Sequence, residues 1–533
     1  MKVNTIKNLE EYKKELIGDI NQRITDKILE QANADLLIKL INNADSQTEA
    51  TNIAALGTTY KRTGFHFDKR LEKVSNDIKY KVKNNALSFE NDATRPTHQL
   101  IIGDNYDALQ NLLITHKKKV DVIYIDPPYG KDNMGNFAET NYDNSITRDN
   151  LLSMLYPRLQ LAKMLLSDEG VIFCSIDDKN QAYVKCLFDE VFGEMNFVGT
   201  YDWKKTATPP SLSKTIRKKF EYILCYKKGM LSALCGGFVE GGDMLLLNDG
   251  NAVAECKFKK EAIEAKIGDG VYKKGTYDRV ELLSDFIIKN SIPVTDLCIK
   301  GPFKWQQSTI DEEIVNGTRF YIKTKKFAIR YARKGKRIKT PSNVISQEEC
   351  KVGTNEDGAK DLLSILSCKN FDFPKPPSLV KYLCKMVTYD KLDAVILDFF
   401  AGSGTTGQAV MELNREDEGN RTFILCQSNE ITETTPHGIA YDVTAKRMKR
   451  VMSGECYDGT KKFLWIEKHK PYNDNLNVYE IGKVSKTEST KKRTAFDKID
   501  ETCYGIKKFN NPTDKIAWVC ENFENATKFI EEK

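Results

Sequence analysis

The chain has 533 residues, 40% of them hydrophobic, enough for about three to four globular domains with buried cores. No uninterrupted apolar run approaches the roughly 18 residues that would cross a bilayer, and Met1 to Glu15 is polar and charged, so the sequence reads as neither membrane-spanning nor secreted. A net charge of +6 names no partner by itself, and 13 scattered cysteines without a C-x2-C pair, beside only 5 histidines, point to reduced thiols in a cytoplasm and to no metal site.

Leu9, Tyr12, Leu16, Ile20, Ile24 and Ile28 recur at helical steps, and Leu36, Leu37, Leu40 and Ile41 predict a second helix, so residues 1–95 read as a helical N-terminal region. From Gln99 short apolar runs alternate with helical stretches: LIIG, a helix around Ala108 to Leu113, VDVIYI, a helix from Leu151 to Leu166, and VIFCSI. This is the rhythm of α/β units on a parallel sheet, assigned to residues 96–199. A second such block, 370–455, holds a helix near Leu379 to Val387, the strand AVILDFF, a helix from Thr405 to Leu413 and the strand TFILC. Between them, 200–369 is richer in glycine, aromatics and charge, and reads as a domain inserted between two halves of one sheet. The C-terminal region, 456–533, offers strand candidates KKFLWIE and LNVYEIG, and a last helix opened by Pro512 whose apolar face includes Ile516, Val519, Phe523, Ala526 and Ile530.

VDVIYI delivers Asp126-Pro127-Pro128-Tyr129 to a strand's carboxyl end, where open α/β sheets place their ligands. The exocyclic amine of a nucleobase is a poor nucleophile because its lone pair is delocalised into the ring. Two acceptors aimed at its hydrogens restore that pair to nitrogen: the Asp126 carboxylate and the Pro127 main-chain carbonyl, in a loop that the two prolines stiffen. Tyr129 can stack on the base, which must leave the duplex to reach such a pocket. The plainer reading is a turn that closes a strand.

The second motif, Asp398 to Gly407, carries Phe400, Ala401, Gly402, Ser403, Gly404 and Thr405 between the strand AVIL and a helix. Its F-x-G-x-G spacing lacks the glycine pattern of dinucleotide sites, and no phosphate-binding G-x-x-x-x-G-K-[ST] occurs, which argues against NAD and ATP. A cofactor carrying a carboxylate suits the positive end of the following helix. Glu430, after TFILCQSN, is the candidate for ribose hydroxyls.

Between Thr318 and Pro341 stand ten basic residues and no acidic one, among them Arg319, Lys325, Arg330, Arg333 and Arg337, interleaved with Phe320, Tyr321, Phe327 and Tyr331. Lys204, Lys205, Lys214, Arg217, Lys218 and Lys219 form a second cluster. Such runs are often only solvated faces, but within an insertion between two catalytic halves they suit DNA phosphates.

Together the two motifs resemble the β-class amino-methylating DNA methyltransferases, in which a D-P-P-Y element precedes an F-x-G-x-G element with a target recognition domain between them. LIIGDNYDALQNL, YPRLQLAKMLLSDEGVIFCSIDD and FDFPKPPSLVKYL look like the modification (Mod) subunits of type III restriction-modification systems, and the resemblance covers roughly Leu36 to Val451. It implies an α/β, Rossmann-like S-adenosylmethionine-dependent methyltransferase sheet split by a target recognition domain, with Asp126, Pro127, Pro128 and Tyr129 catalytic and Asp398, Phe400 to Thr405 and Glu430 at the S-adenosyl-L-methionine. By the same likeness Phe373, Lys375 and Pro376 border the methionine end of that cofactor, and Asp104 lies near it or the target adenine. Read without the likeness, Lys375-Pro376-Pro377 is a loop before a helix and Asp104 serves equally as a helix N-cap. Aspartate at 126 implies transfer to N6 of adenine, since cytosine-N4 relatives usually carry serine there. Cytosine N4 stays open as the alternative, as does a chain that acts chiefly as the recognition subunit of a nuclease-helicase. Double-stranded DNA, a homodimer and a restriction (Res) ATPase-nuclease subunit are the implied partners, with 456–533 a candidate contact for one of them. One departure is that the strand TFILC runs into Cys-Gln-Ser-Asn-Glu instead of placing its acid directly after the apolar run.

Overall fold

The computed structural model describes residues 8–25, 29, 31–56, 77–129, 147–209, 214–485 and 495–523. Ile28, Ala526 and Ile530 of the predicted helices lie outside them. The chain begins with three helices, α1 (Leu9–Thr25), α2 (Gln31–Asn42) and α3 (Gln47–Leu56). They close around Ile20, Ala34, Leu37, Ile41, Ala50 and Ala54 as a small bundle with its own core.

Then follow β1 (Asp77–Lys83), β2 (Thr97–Ile102), α4 (Asn105–His116), β3 (Val120–Ile125), α5 (Thr147–Leu165), β4 (Leu166–Ile176), α6 (Gln181–Phe192), β5 (Phe197–Lys204) and β6 (Phe220–Lys227). After the middle of the chain come β7 (Val344–Ile345), α7 (Asn355–Leu366), α8 (Pro377–Thr388), β8 (Val395–Asp398), α9 (Thr405–Asp417), β9 (Thr422–Gln427), α10 (Lys446–Ser453) and β10 (Asn475–Ser485). The ten strands form one mixed sheet in the order β1-β10-β2-β9-β8-β3-β4-β6-β5-β7. From β10 to β4 neighbours run parallel, whereas β1 at one side pairs antiparallel with β10, and at the other β6 pairs antiparallel with both β4 and β5, before β7 closes the edge parallel to β5.

All six residues of β3 are buried, as a strand with both faces covered requires. Alternation decides the face. Val122, Tyr124 and Ile396 join a core with α7, α8, α9 and α10, while Ile123, Ile125 and Leu397 join another with α4, α5 and α6. No described helix is long and apolar enough to cross a membrane.

Three sequence expectations change. Residues 77–83 are a strand, not part of a helical region: Ile78 and Tyr80 are buried on one face, and β1 pairs with β10 along its length. The hairpin β5–β6 belongs to the central sheet, so the separate middle core starts later than residue 200 and runs from Leu246 to Tyr331 on small sheets of its own. KKFLWIE forms a short helix, Leu464–Lys468, that buries Trp465 against Tyr472 and His469. LNVYEIG is a strand as expected, but it fills an interior place in the sheet, between β1 and β2.

Candidate active site

The helix after β3 packs on one face of the sheet and the helix after β8 on the other, so the chain leaves these two neighbouring parallel strands toward opposite faces at their carboxyl ends. Such a reversal opens a crevice, and open α/β sheets bind ligands there. Here it brings Asp126 to Tyr129, from β3, beside Asp398 to Thr405, from β8.

At the first motif Asp126 is already engaged at both oxygens. The Tyr129 hydroxyl donates to Oδ1, and Lys375 Nζ lies 2.8 Å from Oδ2. Lys375 also donates to the Tyr129 hydroxyl at 3.4 Å and sits 3.3 Å from Glu221 Oε2, while Lys205 holds Glu221 Oε1 at 2.9 Å. Lys375 and Glu221 are both buried. Burial works against the charge of each, yet Lys375 is held above its usual range by Asp126 and Glu221, and Glu221 below its own by Lys375 and Lys205. Burial, with Asp126 beside it, pushes the Tyr129 hydroxyl far up, so this phenol stays neutral and donates. The Tyr129 carbonyl accepts from Asn180 Nδ2 at 2.7 Å, which pins the end of the Pro-Pro loop.

The glycine turn is tied down from several directions. Gly402 and Gly404 have φ of +53° and +81°, left-handed values that suit glycine. The Gly402 amide donates to Gln427 Oε1 at 2.6 Å and its carbonyl accepts from Thr444 Oγ1 at 2.6 Å. Asp398 accepts from the Phe400 amide at 3.0 Å and the Thr406 hydroxyl at 2.5 Å. Ser403 and Thr405 face inward to Arg447, whose buried guanidinium donates to Ser403 Oγ at 3.0 Å and Thr405 Oγ1 at 2.9 Å and pairs with Asp361 at 3.0 Å. Thr405 Oγ1 in turn donates to the Lys375 carbonyl at 3.1 Å, so one residue joins the two motifs: its backbone to the glycine turn, its side chain to Asp126. Removing the guanidinium would take the charged partner from Asp361 and a donor from Ser403 Oγ, Thr405 Oγ1 and Gln408 Oε1. Arg447→Met is therefore expected to cost about 3 kcal/mol, measured by urea unfolding; a loss under about 1 kcal/mol would contradict this bracing role.

Asp398 is 2% exposed. Burial pushes its carboxyl up to about 7 against the hydrogen bonds from Thr406 and Phe400, and the Asp126 carboxylate adds to the rise. Between about pH 4 and 7 the folded chain then keeps a proton that the unfolded chain has lost. Stability falls as pH rises through that window, by at most about 1.4 kcal/mol per unit, and is level in this group above it. Denaturant titrations across the window should show that Asp398→Asn removes this slope; an identical slope in both proteins would contradict it.

Other predicted residues are placed as follows. Asp104 is the N-cap of α4, accepting from the Tyr106 amide at 2.7 Å, and pairs with Arg158 at 3.0 Å. Next to it Asn105 donates to the Phe399 carbonyl at 2.8 Å, which ties β2 to the glycine turn. Pro376 caps α8 and Phe400 packs on Phe399, whereas Phe373 is 76% exposed with φ of +53°. Glu430 follows β9, its carbonyl accepting from the Ile439 amide at 2.9 Å. Pro127 is buried and Pro128 half-buried beside it. Glu221, Gln427, Asn180 and Arg447 escaped sequence reasoning. The one local signal was an acid, Glu221, inside the apolar run FEYILCYK.

The basic run contributes Arg319–Ile322 and Ile329–Ala332, paired with each other, and Lys336–Ile338, paired with Phe238–Glu240; Phe320 and Tyr331 face the middle core. Part of its charge is matched internally. Lys323, Arg330 and Tyr321 converge on Asp243, and Arg333 pairs with Glu313 over the Trp305 ring. Arg319 lies 3.9 Å from Glu264, while Lys325 and Arg337 are exposed. In the other cluster Lys204 pairs with Glu348, Lys205 with Glu221 and Lys218 with Asp178, and Arg217 donates to the Pro209 carbonyl.

The chain is a mixed α/β protein whose two motifs meet at the carboxyl ends of neighbouring parallel strands of one large mixed sheet. Residues 120–477 match the N6 and N4 DNA methylase family, and the chain belongs to it. This is a family of S-adenosylmethionine-dependent DNA methyltransferases. Residues 9–122 match a family of uncharacterised conserved proteins. The chain is 30% identical over 447 residues to the type III restriction-modification enzyme StyLTI Mod subunit of Salmonella typhimurium, covering 77% of this chain and 64% of that one. It is 30% identical over 383 residues to the type II methyltransferase M.KpnI of Klebsiella pneumoniae, covering 66% of this chain and 87% of the relative. The EcoPI Mod subunit of Escherichia phage P1 is 28% identical over 403 residues, with 66% and 62% covered. The chain thus spans somewhat under two thirds of the two Mod subunits.

The crevice fits S-adenosylmethionine. A Cβ at Gly402 would come 3.1 Å from the Phe371 ring, and Asn370 Oδ1, next to Phe371, is buried without a hydrogen-bond partner in the protein. A glycine turn that leads into a helix N-terminus, with a polar atom without a partner nearby, suits an amino-acid moiety.

Proposed function

We propose that this chain is a site-specific DNA methyltransferase that transfers a methyl group from S-adenosylmethionine to N6 of an adenine turned out of the duplex. The observation that carries it is the Asp126 carboxylate, fixed at the end of β3 by Tyr129 and Lys375 beside the glycine turn of β8. When bound, the cofactor supplies a methyl carbon on a sulfonium that departs with the bonding electron pair. Asp398 and the turn from Phe400 to Thr405 would hold it, with Phe373, Pro376, Asp104 and Glu430 as further candidates. Asp126 and the Pro127 carbonyl accept the two amine hydrogens and concentrate the lone pair on nitrogen, the atom that would take the methyl group. The proton that the amine loses on methylation passes to Asp126 and on to solvent. Tyr129 stacks on the base and fixes its plane.

Aspartate at 126 favours adenine over cytosine. Mass spectrometry of nucleosides from duplex DNA incubated with the protein and donor is the test: N6-methyladenine is expected, and N4-methylcytosine alone would replace this reading with its alternative. The middle core, Leu246 to Tyr331, with the exposed Lys325 and Arg337 on its flanks, is the proposed target recognition unit, read through phosphates and base edges. A homodimer and a separate Res ATPase-nuclease subunit are the partners proposed from the likeness to the Mod subunits.

A further inference from the structure

The acceptor on which that chemistry depends is not open. Lys375 occupies Asp126 Oδ2 at 2.8 Å, and the Tyr129 hydroxyl occupies Oδ1. An ammonium with three donors competes with a base amine for the same lone pairs. A second station lies within reach. Lys375 Nζ is 3.3 Å from Glu221 Oε2, a buried oxygen that no aligned hydrogen bond satisfies.

We propose that Glu221 is a positioning residue that draws the Lys375 ammonium off Asp126 when the target base enters, and so frees the carboxylate to accept the amine. The role rests on Asp126 being the amine acceptor. Glu221 is suited to it because its backbone is fixed in the sheet, paired in register with Trp203, and because Lys205 anchors Oε1 at 2.9 Å. The Lys375 main chain is pinned through its carbonyl to Thr405, so only the side chain moves, and by a fraction of its length. Lys205, Glu221, Lys375 and Asp126 alternate in sign. Sliding one buried cation between the half-buried Asp126 and the buried Glu221 leaves the net charge of the cluster unchanged, so the transfer avoids the large penalty of burying a new charge.

The test compares the wild type, Glu221→Gln and the double variant Glu221→Gln/Lys375→Met, each by kcat at saturating donor, by binding of labelled S-adenosylmethionine, and by fluorescence of 2-aminopurine at the target position. In Glu221→Gln the ammonium keeps Asp126 as its one paired carboxylate, and kcat is expected to fall roughly tenfold or more with donor affinity nearly unchanged. Removing Lys375 as well is expected to restore most of that loss, a rescue that a merely structural glutamate would not show. Glu221→Asp, which keeps a charge beside Lys205, is expected to lie between wild type and Glu221→Gln, and it carries the same rescue test should the glutamine variant not fold. A double variant no faster than its single parent would overturn the role, as would an unaltered kcat in Glu221→Gln. If the wild type binds donor yet methylates no base, the underlying reading of Asp126 fails and this role with it.

Discussion

Asp126→Ala is expected to lower methyl transfer by about 10²- to 10³-fold or more, while binding of S-adenosylmethionine stays within about threefold. The split follows from geometry. The carboxylate touches Tyr129 and Lys375, and the proposed cofactor contacts lie across the crevice on the β8 turn. The fold should tolerate the change, because Lys375 keeps Glu221 as a partner and the Tyr129 carbonyl keeps Asn180. Asp126→Asn tests the point more finely: it retains an acceptor oxygen and the shape, so it should fall between wild type and alanine. Single-turnover assays with donor affinity measured in parallel give both numbers. Turnover within about twofold of wild type in the alanine variant would remove Asp126 from the mechanism.

Gly404→Val should act on the other half of the site. At φ of +81° a side chain is strained by roughly 1–2 kcal/mol, more for a branched one. A Cβ there would also come 3.2 Å from Met448 Cε and 3.3 Å from Thr444 Cγ2, and Thr444 is the residue that holds the Gly402 carbonyl. The turn must therefore shift as a unit. Donor affinity is expected to fall by about 10- to 100-fold, with a much smaller effect on kcat once donor is saturating. Equilibrium dialysis with labelled donor checks this. Unchanged affinity in a destabilised protein would show that the turn shapes the fold and not the cofactor site.

The contrast between these two halves mirrors what the sequence made legible. VDVIYI, AVILD and TFILC read as strands because each is a short apolar run followed by turn chemistry. Asp126 and Gly402 could be placed at strand ends because both motifs directly follow such runs. Local pattern also placed α8 and α9 correctly to within a few residues. What stayed hidden depends on contacts between distant parts of the chain. LNVYEIG announces a strand, but nothing in it says that it pairs with both Thr97–Ile102 and Asp77–Lys83. Residues 200–227 carry charge and aromatics like an inserted domain, yet their strands extend the central sheet. Lys375 was placed at the cofactor through likeness alone, whereas its ammonium rests on Asp126, a choice made by the approach of β3 and β6 in space. Arg447 and Gln427, which brace the glycine turn, are polar residues in stretches whose local pattern gives no hint of a partner.

The most direct measurement of the central claim is transfer of a radiolabelled methyl group from S-adenosylmethionine to duplex DNA by the purified chain, with the labelled nucleoside then identified. Label recovered as N6-methyladenine, lost with Asp126→Ala in protein that still binds donor, is the predicted result. A chain that binds no donor, or that leaves label on no nucleic acid, would contradict the account.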